Sequence, residues 1–336
     1  MNKNGILASM CFPTFAGFSA RHLNQLRDDI TTVMVSAYND WHIDEWAGAY
    51  PDRFLSLALM PTWNPDAMVA EVHRVAAKGC KAITMPELPH LEGLPSYHDM
   101  EYWGPVFQAL SDTGLVMCCH IGTGFAALDL AQDAPIDNLM VLAPQISSLC
   151  AQDLLWGPAM RTYPDLKFAF SEGGIGWIPF YLDRSDRHYT NQRWLRRDFG
   201  GSLPSEVFKA HSLACYVTDP AALKNRHEIG IETIAWECDY PHSDSIFPNA
   251  PGSITARCAA AASASACQAS SGTSRDRPRT SSSPSSSRPI ALTAPESASA
   301  TSGGSAARAS SCTSCTASTS STASATIRSG SCRVTN

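Results

Sequence analysis

The sequence predicts an α/β fold, a (β/α)8 TIM barrel lacking its first strand, followed by a tail with no fold of its own. Three observations predict it. From Gly5 to Ala250, short apolar runs rich in β-formers alternate with longer stretches of helical period. The runs are nearly continuous rather than alternating, as strands of a parallel sheet covered on both faces must be. Finally, seven strands can be read where a closed barrel has eight, and the first begins only five residues in. A doubly wound sheet is the competing arrangement, but no G-x-G-x-x-G follows the first run.

The strands are expected at Ile6 to Phe12, Phe54 to Met60, Ala82 to Met85, Leu115 to His120, Leu166 to Phe170, Ala214 to Thr218 and Thr233 to Glu237. Between the first two, Arg21 to Tyr50 has helical character, and Pro51 marks its end. Asn64-Pro65-Asp66 caps and opens a helix to Lys78, where Gly79 supplies a left-handed stop. Ser96 to Asp99 opens the next, which carries Trp103, Val106, Phe107 and Leu110 near helical spacing and stops at Gly114. Further helical segments are expected from Ile146 to Thr162, Trp177 to Trp194, Ser205 to His211 and Ala221 to Ile229.

Composition divides the chain. All 8 Trp, 9 Tyr, 12 Phe, 10 Met and 10 His precede residue 251, and the remainder of the chain is mostly Ser, Ala and Thr. Eight arginines against Asp276 and Glu296 give that tail +6, so the body carries −12 of the net −6. An acidic body argues against a nucleic-acid surface. No apolar stretch is long enough to cross a membrane, and the first ten residues lack the pattern of a secretory signal, so a cytoplasmic location is expected. Most of the seven body cysteines sit inside apolar runs, where a reduced thiol behaves as a small hydrophobe. Residues 253–336 are expected to be disordered, whether as a genuine low-complexity tail or as a GC-rich coding sequence read in a shifted frame.

In such a barrel the chemistry gathers at the carboxyl ends of the strands. Polar residues that end apolar runs there are His120 in Cys119-His-Ile-Gly122, Glu172 in Ser171-Glu-Gly-Gly174, and Asp239 in Glu237-Cys-Asp-Tyr-Pro-His-Ser243. A His and an Asp so placed can ligate one divalent ion, taken here as Zn²⁺, and leave a position for water or substrate. Each has an ordinary alternative: a loop histidine, a carboxylate at a helix start, a turn aspartate. Gly173, Gly174 and Gly176 could instead cradle a phosphate, although no P-loop Lys follows. His242 and Asp244 lie beside Asp239 as candidates to hydrogen-bond the site, and Trp177 is placed to wall an aromatic substrate or to anchor a helix start. Glu237 reads as a solvated carboxylate, the remaining histidines as mostly surface residues, and Cys312 with Cys315 as a lone C-x-x-C.

These motifs, in this order, resemble the amidohydrolase-related family that includes aminocarboxymuconate-semialdehyde decarboxylase and resorcylate-type decarboxylases. The resemblance covers about residues 5 to 250. It implies a metal-dependent barrel over residues 1–252, acting as a hydrolase or non-oxidative decarboxylase on a small carboxylated or aromatic substrate. It implies His120 and Asp239 as metal ligands, Glu172 with Asp239 as the acid/base residues, and Trp177, Gly173, Gly174 and His242 against substrate. A homodimer is the expected assembly, with neither nucleic acid nor membrane as partner. Three departures matter. Glu172 stands where the decarboxylases place a His, and no His precedes Met10 to supply the family's first-strand ligand pair. The family's closing loop and helix after Asp239-Tyr-Pro-His242 give way here to a pattern that dissolves at about Pro251. An inactive remnant, with exposed edges flanking a missing strand, is the alternative.

Overall fold

Each apolar run finds a neighbour on both sides, and the pairing closes a ring. The strands are β1 (Ser9–Cys11), β2 (Phe54–Leu55), β3 (Leu57–Ala58), β4 (Ala82–Met85), β5 (Val116–His120), β6 (Phe168–Ser171), β7 (Ser212–Tyr216), β8 (Ile234–Glu237) and β9 (Ser324–Thr326). Their order is β2-β1-β9-β8-β7-β6-β5-β4-β3. Only Ser56 separates β2 from β3, so these two form one stave and the sheet returns on itself. Neighbours from β3 to β8 are parallel, as are β1 and β2. β9 lies antiparallel between β8 and β1, with Ala325 opposite both Met10 and Glu237.

The computed structural model describes residues 1–14, 16–27, 29–195, 197–250, 252 and 324–326. These belong to one compact unit formed by residues 1–265 and 320–336; a second unit, 266–319, lies outside the described residues. The disorder expected for 253–336 therefore falls outside the described residues, apart from β9, which is a strand where none was expected. It sits in the place of the missing stave, so the edges of β1 and β8 are paired.

Two cores follow from the two faces of the sheet. Inside the barrel, Met10, Phe12, Leu57, Ala82, Cys118, Ala169, Cys215 and Ala235 pack together. Small side chains dominate because a narrow cylinder has room for little else. Outside, residues such as Met60, Ile83, Met117, Phe168 and Ala214 meet the helices. These are α1 (Arg21–Asn24), α2 (Asp29–Asp40), α3 (Pro65–Ala77), α4 (Met100–Thr113), α5 (Ile136–Leu142), α6 (Pro144–Trp156), α7 (Ala159–Thr162), α8 (Trp177–Asn191), α9 (Pro204–His211) and α10 (Arg226–Ile229). None is long and apolar enough to cross a membrane.

The expected caps form. Asn64 Oδ1 accepts the Ala67 N–H at 3.1 Å at the start of α3, and Asp99 Oδ1 accepts from Glu101 and Tyr102 at the start of α4. Gly114 ends α4 at φ 69°. Three long helices are instead divided. Arg21 to Tyr50 becomes α1, α2 and a π-helical segment at Trp41–Ala47; Arg27, at a left-handed φ of 53°, interrupts the chain between α1 and α2. Ile146 to Thr162 breaks at Gly157-Pro158, where Gly157 is extended, giving α6 and α7. Ala221 to Ile229 is a 3₁₀ turn followed by the single turn of α10.

Candidate active site

His120 is the last residue of β5, buried at 1% exposure between aromatic rings. Phe18 stacks on the imidazole at 3.9 Å and Phe12 meets it edge-on at 4.7 Å. A carbonyl can only accept, so the 2.6 Å contact between Nδ1 and the Ile121 carbonyl places the proton on Nδ1. Nε2 is left without a hydrogen bond and stands 3.4 Å from Glu172 Oε1.

Glu172 follows β6 in a left-handed conformation, φ 59°, and its N–H donates to Glu237 Oε1 at 2.6 Å. Asp239, also left-handed at φ 51°, follows β8 and is 1% exposed. Its Oδ2 pairs with His242 Nδ1 at 2.6 Å, while Oδ1 is buried with no hydrogen-bond partner. One ligand atom each from Glu172, Asp239 and His242 fall within 4.8 Å of one another.

The two carboxyls titrate as a pair. Burial pushes Asp239 up, and the neighbouring carboxylates of Glu172, Glu237 and Asp244 push it further. Burial acts on Glu172 in the same direction, but the neighbouring His120, Asp239 and His242 outweigh it and hold Glu172 below the usual carboxylate range. Two carboxyls this close favour holding one proton between them over ionising together.

A cavity of about 290 Å³ opens beside this cluster, lined by Glu172, Gly173, Gly174, Trp177, Thr218 and Asp244 among others. Trp177 Nε1 donates to the Gly173 carbonyl at 3.0 Å, which fixes the indole in the wall. Gly173 has no room for a side chain: an added Cβ would lie 2.2 Å from Ser147 Oγ on α6. Asp219 Oδ2 accepts the Ile175 N–H at 3.1 Å and Oδ1 accepts from Ala222. The glycine turn thus holds a carboxylate of the chain itself, which opposes the phosphate-cradle reading.

The sequence-selected residues accordingly gather in one place. Glu172 links His120 to Asp239, while Gly173, Gly174 and Trp177 line the cavity. His242 joins the ligand cluster rather than the cavity lining, with its side chain 43% exposed. Other expectations are corrected. Glu237 is buried, not solvated, because its carboxylate serves the Glu172 backbone. His42 and His211 are buried as well, the first under Tyr38 and Trp46 and the second donating Nδ1–H to the Leu166 carbonyl. Sequence reasoning missed Glu87, Phe12 and Phe18 around His120. The signal for Glu87 was present, since it is the first acidic residue after the apolar run of β4.

A closed α/β barrel with imidazole and carboxylate side chains gathered at the carboxyl ends of its strands defines a class of enzyme scaffold. The amidohydrolase family model matches residues 1–265, and the chain belongs to that family. No curated protein matches the sequence. Among solved structures, an amidohydrolase from Mycobacterium avium subsp. paratuberculosis is similar at 21% identity and TM-score 0.62, over 76% of this chain and 66% of that one. This chain therefore spans just under two thirds of that relative's length. A 5-carboxyvanillate decarboxylase from Sphingomonas paucimobilis is similar at 23% identity and TM-score 0.55, over 73% of this chain and 75% of that one. A dihydroxybenzoic acid decarboxylase from Polaromonas, solved with manganese and 2-nitroresorcinol, aligns at 19% identity and TM-score 0.53, over 67% and 69% of the two chains. These likenesses establish the shared fold.

Proposed function

We propose that the chain is a divalent-metal-dependent enzyme that removes a carboxyl group, without oxidation, from a small aromatic acid. Hydrolysis on the same site is the competing outcome. The observation that carries the reading is the convergence of Glu172, Asp239 and His242 within 4.8 Å, next to the unpartnered Nε2 of His120. Nitrogen and oxygen donors of this kind suit Zn²⁺ or Mn²⁺. A ring nitrogen fixed through its opposite N–H by a backbone carbonyl is how a metal-binding histidine is usually held. His120 and Asp239 would hold the ion, with Glu172 and His242 beside it. Such an ion supplies the positive charge that a substrate carboxylate requires, since no Lys or Arg is among the cavity's lining residues.

The remaining work falls to the chain. A cavity of about 290 Å³ has the size for a single ring, and the Trp177 indole offers it an aromatic wall. Gly173 and Gly174 let the substrate approach the backbone. Loss of CO2 leaves the C–C bonding pair on the ring carbon, which must then take a proton. Glu172, which lines the cavity, is the group placed to deliver it. Support for a carboxylated aromatic comes from the names of the similar structures, which act on 5-carboxyvanillate and dihydroxybenzoate.

The test is CO2 release from a panel of hydroxylated benzoates, with ester hydrolysis measured in parallel, by protein stripped with chelator and reloaded with Mn²⁺ or Zn²⁺. Activity is expected only after reloading. His120→Ala and Asp239→Ala are expected to lower it by ~100-fold or more, at or beyond the loss of an outer-shell partner. Full activity in either variant or in the stripped protein removes the reading, and hydrolysis without CO2 transfers it to the competing outcome.

A further inference from the structure

One buried acid near His120 has no part in that chemistry. Glu87 follows β4 at the same end of the barrel and is completely inaccessible. Its Oε2 accepts the N–H groups of Gly122 and Gly124, both at 3.2 Å, and its own N–H donates to Thr123 Oγ1 at 2.9 Å. Two residues of the loop after His120 are thus fastened to the Glu87 side chain and the one between them to its backbone N–H, while Oε1 is buried without a partner. Two of the three are glycines under close contact: a Cβ on Gly124 would lie 2.4 Å from Ile146, and one on Gly122 would lie 3.2 Å from Phe18. Phe18 is the ring that stacks on His120, and the Ile121 carbonyl that receives the His120 Nδ1–H belongs to the clamped backbone.

We propose that Glu87 is the positioning residue for His120: by clamping residues 122–124 it fixes the Ile121 carbonyl, and that carbonyl keeps the His120 proton on Nδ1 and presents Nε2 to the cluster. The inference rests on the metal reading only for the purpose it assigns to Nε2; the clamp itself stands on the hydrogen bonds. Burial also pushes the Glu87 carboxyl up to about 8, ahead of the opposing pull of the Gly124, Gly122 and Thr123 bonds. A neutral amide can therefore replace it at modest cost. Loop anchoring alone would predict lost stability and an unchanged His120 ring, which separates the two roles.

The experiment compares Glu87→Gln, which keeps an acceptor oxygen, with Glu87→Met, which fills similar volume without one. In metal-free, ¹⁵N-histidine-labelled protein, the ring nitrogens of His120 are read by long-range ¹H–¹⁵N correlation. Wild type and Glu87→Gln are expected to show one tautomer, protonated at Nδ1. In Glu87→Met the two nitrogen shifts should move towards each other as tautomers mix. Unchanged shifts in Glu87→Met, or equal disturbance in both variants, overturn the proposal. Should Glu87→Met fail to fold, Thr123→Val removes one bond of the same clamp: a smaller shift in the same direction supports the proposal, and no shift overturns it. Mn²⁺ affinity is read separately and is expected to fall about 10- to 100-fold in Glu87→Met. A wild-type chain that binds no Mn²⁺ overturns the metal reading, while the nitrogen shifts still decide the role of Glu87.

Discussion

At the scale of single residues, backbone conformation decides which side chains reach the site. Glu172 and Asp239 both adopt left-handed φ, a conformation that a non-glycine residue takes only at a cost. For Glu172 the cost is offset by the 2.6 Å bond from its N–H to buried Glu237. Gly173, next in sequence, presses against α6, and a Cβ there would lie 2.2 Å from Ser147 Oγ and 2.3 Å from Ser147 Cβ. Gly173→Ala is expected to cost about 1–3 kcal/mol through overpacking, read as a lower urea midpoint. Ser147→Gly removes both offending atoms. The double variant should therefore recover most of the loss, and a strictly additive cycle would contradict the contact. His120, Glu172 and Asp239 were legible in the sequence because a polar residue ending an apolar run is conspicuous. Glu87 and Glu237 obey the same pattern, but Glu87 was passed over and Glu237 read as solvated, since an acidic side chain is ordinarily solvated and only the fold shows what lies above it.

Elements show the same division between local and non-local information. The starts of α3 and α4 were readable because a cap is decided by neighbours in sequence: Asn64 and Asp99 each satisfy an N–H within three residues. The breakup of Arg21 to Tyr50 was not, because it answers to distant groups, such as the Glu92 carbonyl that receives Arg27 Nη2 at 2.9 Å. Asn39 on α2 is a second case. It is fully buried, its Oδ1 accepts the Leu59 N–H at 2.8 Å, and its Nδ2 donates to the Leu59 carbonyl and to Glu71 Oε1. These bonds tie α2 to the stave of β3 just past its paired residues. Asn39→Ala leaves several buried groups without partners, at about 1–3 kcal/mol each. Its urea midpoint should drop with an unchanged slope; a wild-type midpoint would show that water replaces the amide.

For the whole molecule, the parallel ring was legible because burial on two faces writes continuous apolar runs, which need no knowledge of partners. β9 was not legible: a Ser-Ala-Thr triplet in a polar tail says nothing of the slot between β8 and β1 that receives it. Acid sensitivity is a property of the molecule as well. Burial lowers His42 to about 4, and it lowers His211 too. A depressed imidazole pKa means that the unfolded chain binds more protons than the folded one between about pH 6.5 and pH 4. Stability from His42 is therefore complete above about pH 6.5 and declines as the pH falls towards 4. His42→Gln, uncharged throughout and still able to accept the Leu57 N–H that reaches His42 Nε2 at 3.4 Å, should flatten the profile. The check is the urea midpoint at pH 7.5 and pH 4.5, and an unchanged difference between the two would contradict the assignment.

The contact between Gly173 and Ser147 also limits how this scaffold can diversify. With Gly173 pressed against a helix and the Ile175 N–H engaged by Asp219, that side of the cavity resists resurfacing by point mutation. Under the proposed function, the lining positions Gln145, Val217 and Thr218 are the ones left open to change, which makes those three the targets for a saturation library aimed at selectivity.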